Sequence, residues 1–337
     1  MKVNKQELLY ALEKVRPGLT GKEIIQQSNS FIFYKNRVYS YNENILISYP
    51  IKNLNFNGSI KGKELYEILN KFSEKTINIS KLKNTLIINN KNIETGFFLQ
   101  EKIDSNIHNL QKIDNWKKLS KNFIKGLQIC NLAANKNNIL PYIHINNKNI
   151  EATNGYIIAS YKLKNKLFNI PILLSSTIIS NIINNTFNKI AYTKNNWLHF
   201  KNKEGLKISC KIYNDKFPKI NNILLFKGEK IILPKNLCPT LERIIIFCKS
   251  DLQKEELMTF KINKNKIILS SKTEIGWIKE EIKIENINNL NISFQINPNY
   301  LLNILQNIEN ISCIYKENKI KFENKKYSIA IAIQKKE

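Results

Sequence analysis

The chain has 337 residues, 42% of them hydrophobic, and its 53 basic against 27 acidic residues give a formal charge of +26. That length fits two or three domains, no apolar run reaches the roughly 18 residues of a membrane span, and charges throughout MKVNKQELLYALEK exclude a signal-peptide core. A soluble, cytoplasmic protein with a polyanionic partner is expected, with no membrane involvement.

Taken in chain order, three helix-like segments recur at a fixed period. NKQELLYALEKV places Leu8, Leu9, Leu12 and Val15 on one face; LSKNFIKGLQICNL does so with Phe123, Ile124, Leu127 and Cys130; LPKNLCPTLERIIIFC with Leu237, Leu241, Ile244 and Cys248. Leu8, Phe123 and Leu237 are 115 and 114 positions apart. A second helix is expected in each third: SIKGKELYEILNKF with Leu65, Ile68, Leu69 and Phe72, PILLSSTIISNIINN with Ile178, Ile179, Ile182 and Ile183, and INPNYLLNILQNI with Leu301, Ile304, Leu305 and Ile308. Short β-like runs follow, several with hairpin turns around KN, NNKN, KNKEG or KENK. Asn154-Gly155, inside IEATNGYIIASYKL, also predicts a hairpin turn. Each third therefore reads helix, strands, helix, strands. The fold class is α+β, with three repeated domains spanning 1–114, 115–228 and 229–337 and joints near Asp114 and Gly228.

Fifty lysines against three arginines, among abundant Asn and Ile, match the codon usage of a very AT-rich genome. The distribution of charge is more informative than its total: the three thirds carry +6, +15 and +5. The middle third is the stretch expected to face nucleic acid, against the plainer reading of a solvated lysine surface.

No catalytic constellation is visible. Gly18 and Gly21 in RPGLTGK lack phosphate-loop spacing, and HExxH and GxSxG are missing. The five cysteines form no CxxC pair, and His108, His144 and His199 lie far apart. Glu280-Glu281 and Glu255-Glu256 are neighbours, which on a strand point to opposite faces. No enzymatic activity, metal or cofactor is expected.

Four further motifs carry a resemblance. IEATNGYIIA resembles an Ala-Thr-Asp-Gly-His-Arg-Leu motif, with Thr153 and Gly155 matching, Asn154 for the acid, Tyr156 for His, and Ile157-Ile158 for Arg-Leu. NDKFPKI at 214–220 resembles Gly-Lys-Phe-Pro-Asp-Tyr, FQINPNYLLNIL a Phe-Asn-x-x-Tyr-Leu helix start, and YSIAIAI a terminal strand that normally ends Met-Pro-Met-Arg-Leu. In this order and on this repeat, the whole chain resembles the β sliding clamp family, the β subunit of bacterial DNA polymerase III.

The resemblance implies a crescent of three domains, two crescents closing head to tail into a homodimeric ring with helices lining the hole and sheets outside. It implies an accessory, non-catalytic processivity factor in DNA replication whose partners are double-stranded DNA, the DNA polymerase III catalytic subunit and the clamp loader. DNA contacts would come from Lys14, Lys22, Lys121, Lys125 and Arg243. A peptide-binding pocket would be built from Leu140, Thr153, Gly155, Tyr156, Ile158, Pro218, Ile223, Asn297, Tyr300, Ile329, Ile331 and Ala332. Ile68, Phe97 and Leu99 of one chain would meet Ile246 and Phe247 of the other. The alternative reading is a basic monomeric nucleic-acid-binding module that does not encircle its target.

Overall fold

The computed structural model describes every residue except 53, 55, 91, 104–106, 108–112, 135–140, 194, 235, 250–255, 264, 285–289, 310–311 and 336–337. Leu140, His108 and Glu255 therefore lie outside the described residues.

The first third opens on β1 (Lys2–Asn4), whose last residue caps a helix: Asn4 Oδ1 accepts from the backbone N–H groups of Gln6 and Glu7 at 2.9 and 3.3 Å. Helix α1 (Lys5–Val15) buries Leu8, Leu12 and Val15 of the expected face, with Ala11 in place of Leu9, which is half-buried. There follow β2 (Ser30–Tyr34), β3 (Arg37–Tyr41), β4 (Ile45–Pro50), β5 (Gly58–Lys61), α2 (Gly62–Lys71), β6 (Thr76–Leu82), β7 (Thr85–Asn89) and β8 (Glu94–Phe98). Between β2 and β3, Lys35 and Asn36 both take positive φ, 48° and 55°, as a two-residue hairpin turn requires.

The same succession returns in the middle third. It reads β9 (Lys117–Lys118), α3 (Lys121–Asn131), β10 (Tyr142–Asn146), β11 (Asn149–Thr153), β12 (Ile157–Lys162), β13 (Ile172–Ser175), α4 (Ser176–Ile183), β14 (Lys189–Thr193), β15 (Trp197–Lys201) and β16 (Lys207–Lys211). After a short α5 (Asn221–Leu224), the last third reads β17 (Glu229–Ile231), α6 (Leu237–Ile246), β18 (Met258–Asn263), β19 (Lys266–Thr273), β20 (Gly276–Lys283), β21 (Ile292–Ile296), α7 (Pro298–Asn307), β22 (Ser312–Lys316), β23 (Lys319–Glu323), β24 (Tyr327–Ala332) and β25 (Gln334–Lys335).

Each segment expected to form a second helix in fact begins as a strand: β5 runs into α2, β13 into α4 and β21 into α7. The apolar residues ahead of each helix, such as Ile172, Leu173 and Leu174, are buried strand residues rather than an extra helical turn.

Pairing makes the repetition explicit. The half-sheets β5-β2-β3-β4, β13-β10-β11-β12 and β21-β18-β19-β20 share one strand order, as do β1-β6-β7-β8, β9-β14-β15-β16 and β17-β22-β23-β24. All strand pairs are antiparallel, for which short turns suffice.

The chain packs as two compact units. One comprises Met1–Lys121 and Ser180–Tyr213. It holds the four-stranded sheet β1-β6-β7-β8 and an eight-stranded sheet in which β4 of the first third pairs with β16 of the middle third. Its core is built from α1 against the inner face of that sheet, with Leu12, Phe31, Val38 and Ile47 buried. The other unit comprises Asn122–Ile179 and Asn214–Glu337. It holds an eight-stranded sheet joined at β12 and β24, and the five-stranded sheet β20-β19-β18-β21-β25. The middle third thus contributes to both units.

Candidate functional site

The turn at 153–158 is built by its own polar side chains. Thr153 pairs with Ile158, so four residues span the bend rather than two. Gly155 takes φ +90°, and Asn154 keeps an ordinary negative φ. Asn154 Oδ1 accepts from the backbone N–H groups of Tyr156 and Ile157 at 3.0 and 2.8 Å, an Asx-turn. Thr153 Oγ1 accepts from Gly155 N–H at 3.1 Å and donates to the Ile157 carbonyl at 3.0 Å. The Tyr156 carbonyl accepts from Ala332 N–H at 2.8 Å, tying the turn to the last long strand. The Asn154 amide donates to the Tyr300 hydroxyl at 3.2 Å. Asn297 caps α7 by accepting from Asn299 N–H at 2.9 Å. Asn154, Asn297 and Tyr300 line one cleft of about 560 Å³, together with Glu256, Asn299 and Asn303.

Sheet register decides which apolar residues share a surface. Ile158 pairs with Ala330, and Ile157 with Ile331. Cross-strand partners lie on the same face and successive residues on opposite faces. Ile329 and Ile331 are 0% and 1% exposed, on the core face with Ile157 and Ala159. This corrects the expectation that they line a pocket with Ile158. The residues of β24 on the Ile158 face are Ser328, Ala330 and Ala332. Tyr156 is exposed and Ile158 half-buried, and Thr153 is buried by its own turn.

The segment after β16 lies over that outer face. Phe217 stacks on His144, ring centroids 4.6 Å apart, which places the exposed Pro218 beside it. Leu224 and Phe226 pack on Ala330, with Ile158 and Ile314 against them. Ile223 and Leu225 remain exposed. Sequence reasoning missed what holds this segment. Lys321 is only 4% exposed, and its ammonium donates to the carbonyls of Phe226 at 2.9 Å and Leu224 at 3.4 Å. Glu323 lies 2.8 Å away and the Phe226 ring faces the ammonium at 4.8 Å. Strand alternation in KIKFE puts Lys321 on the outer face, but no local signal reveals that a chain segment covers it. The result is an apolar cluster of Ile158, Ala330, Leu224 and Phe226 on the outer face, with Ile223 and Ala332 exposed on the segments that carry it.

The candidate DNA contacts are scattered over helices and turns. Lys22, Lys121 and Lys125 are exposed, and Lys14 lies over the Tyr10 ring at 5.0 Å. Lys125 Nζ is 3.4 Å from the Asn307 carbonyl. Arg243 is not a free cation: its guanidinium makes a two-point ion pair with Glu280 at 2.6 and 2.7 Å. Among the candidate interface residues, Ile246 is exposed and Ile68, Phe97 and Phe247 are half-buried. Leu99 is buried, which removes it from any exposed interface; its neighbour Phe98, overlooked in the sequence, is 87% exposed.

No family model matches the chain. A curated relative, the β sliding clamp of Mycoplasma genitalium, is 25% identical, covering 96% of this chain and 94% of its own. The β subunit of DNA polymerase from Streptococcus pyogenes matches the fold with a TM-score of 0.82 at 16% identity, over 99% of both chains. A DNA polymerase sliding clamp from Bacillus subtilis also gives 0.82, at 14% identity over 100% of this chain and 99% of its own. A sliding clamp from Pseudomonas aeruginosa bound to griselimycin gives 0.80 at 11% identity, over 100% and 99%.

Proposed function

We propose that the chain is a member of the β sliding clamp family of bacterial DNA polymerase III and serves as the processivity clamp of a replicative polymerase, an accessory subunit without catalysis of its own. The observation that carries this reading is the threefold succession of one sheet–helix unit along the chain, combined with end-to-end likeness to clamps in sequence and fold. Three clamp domains, 1–114, 115–228 and 229–337, form half of a ring. Two chains close head to tail around double-stranded DNA. Lys14, Lys22, Lys121 and Lys125 touch phosphates without reading bases. The outer face around Ile158, Ala332 and Ile223, with Tyr156, Asn297 and Tyr300 at its rim, takes a short apolar segment of the polymerase catalytic subunit or the clamp loader.

Encirclement is a topological property, so topology tests it. Chain loaded on closed circular duplex should stay bound through gel filtration and be lost once the circle is cut. Equal retention on both forms would overturn the reading in favour of a basic monomer held by charge alone.

A further inference from the structure

The positive charge of this chain does not sit on its helices. In α1, α2 and α6 bases and acids balance, α4 and α7 carry no charge, and only α3 has an excess, Lys121 and Lys125. The eight-stranded sheet formed by β5, β2, β3, β4, β16, β15, β14 and β9 is the opposite: its strands hold Arg37 and seven lysines and not one Asp or Glu. Across it, Lys118 pairs with Lys189, Lys189 with Lys201, and Lys201 with Lys207. These are four lysines on four adjacent strands, and neighbouring strands lie about 5 Å apart. Beyond Lys207 the register continues into the buried Ser48 and Tyr39, and the Arg37 guanidinium donates to Ser48 Oγ at 3.1 Å and to the Gly205 carbonyl at 2.6 Å. Lys118 and Lys189 are exposed, Lys201 and Lys207 partly so.

Like charges directly opposite on a sheet destabilise it, and elsewhere among the described residues they occur as single pairs, Lys266 with Lys283 and Lys316 with Lys319, not as a row. Lys266 has Glu281 at 2.8 Å on the adjacent strand, and Lys321 has its same-strand neighbour Glu323 at 2.8 Å. Glu204, the acid of the loop joining β15 and β16, hydrogen-bonds the Tyr10 hydroxyl of α1 at 3.4 Å, on the sheet's other face. The row is felt by its members: burial, then Arg37 and Lys201, push Lys207 down to about 8. Codon usage does not account for it. The corresponding row of the other eight-stranded sheet, at the same place in the repeat, runs Ser312, Glu323, Ser328, Ser160.

We propose that the row Lys118–Lys189–Lys201–Lys207, with Arg37 at its end, is a docking strip for the phosphate backbone of duplex DNA, on a sheet face and separate from the helices. The four lysines have no aromatic among them and Tyr39, beyond Ser48, is buried, so the strip offers no stacking platform for unpaired bases. What it offers is charge density, and duplex DNA presents one charge per about 1.7 Å. The inference rests on strand register and does not depend on the clamp reading.

The test uses the full chain and a short linear duplex, with affinity followed by fluorescence anisotropy between low and moderate salt. Lys189→Gln/Lys201→Gln/Lys207→Gln should weaken binding at least about tenfold near 0.1 M salt and lower the salt slope by about 2 to 3. The exposed pair Lys118→Gln/Lys189→Gln, which cannot disturb the core, should lower the slope by about 2. A charge-matched control, Lys272→Gln/Lys316→Gln/Lys325→Gln, should bind like the unmodified chain. Equal loss in the control would overturn the proposal by making net charge the cause. So would unchanged slopes in both row variants, or row-dependent binding of polyglutamate or anionic lipid vesicles in place of the duplex. Retention on closed circles is read separately, so failure here leaves the clamp reading where it stood.

Discussion

His199 lies on β15 with no exposed surface, Nδ1 2.7 Å from Ser209 Oγ and Nε2 3.0 Å from Thr193 Oγ1. Both partners are hydroxyls that donate or accept, so a neutral ring is satisfied whichever nitrogen carries the proton. Burial, helped by the nearby Lys207, pulls the imidazole down from its ordinary 6.5 to about 4. In the unfolded chain the ring takes a proton near 6.5, while in the folded chain it resists until about 4. Between those values the unfolded state binds more protons, so stability falls as pH is lowered through this window. The contribution is complete above the upper value and gone below the lower one, at most about 3 kcal/mol. His199→Gln keeps the hydrogen bonds and removes the titration. Urea midpoints at pH 7 and pH 4.5 should therefore separate less in the variant than in the unmodified chain. An equal separation in the two would show that His199 does not drive the acid loss.

At the scale of the element, the last long strand shows what register adds to sequence. YSIAIA alternates large and small apolar residues, and the sheet sorts them. Ile329 and Ile331 go to the core, while Ala330 and Ala332 go to the face crossed by Leu224 and Phe226. Ile331→Asp would place an unpaired carboxylate in that core and should cost more than about 3 kcal/mol, seen as loss of the cooperative thermal transition. Ala332→Asp sits on an exposed edge and should leave stability within about 0.5 kcal/mol. It should also weaken an apolar peptide from the polymerase C-terminus by at least about tenfold, since a carboxylate on that face must be desolvated against apolar side chains. A folded Ile331→Asp variant, or full peptide affinity in Ala332→Asp, would contradict this register. The amphipathic helices were legible because a 3.6-residue period has one buried stripe, and α1, α3 and α6 bury most of the stripe residues their spacing predicts. Residues on the outer sheet face were not, because alternation gives two faces without saying which is covered. Lys321 reads as a solvated lysine until the chain segment that encloses it is known. The Asn154-Gly155 bend was legible from residue type, yet its four-residue span depends on side-chain bonds from Thr153 and Asn154.

At the scale of the whole molecule, the repeat leaves one join unmade. The strand closing the first half-sheet of one repeat pairs with the strand closing the second half-sheet of another: β4 with β16, and β12 with β24. The third such pair is β20 and β8, and among the described residues each is instead the end strand of its own sheet. A free strand edge with apolar side chains is a template for another chain. Phe98 on β8 is 87% exposed, and Ile275 and Trp277 beside and on β20 are 74% and 70% exposed, with the exposed Ile246 on α6, which packs against β20. A second copy that supplied β20 to β8, and β8 to β20, would make the same antiparallel join twice, the isologous arrangement expected of a twofold dimer. The chain should therefore sediment near twice its 39.4 kDa. Phe98→Glu/Trp277→Glu puts a carboxylate on each edge of that join, where apolar burial is lost and a charge must be desolvated. It should shift the mass measured by light scattering to that of one chain and abolish retention on closed circles. The thermal transition should stay close to that of the monomeric fold, because both side chains face solvent within one chain. A dimer that survives both substitutions would place the contact elsewhere and break the link between the repeat and the ring.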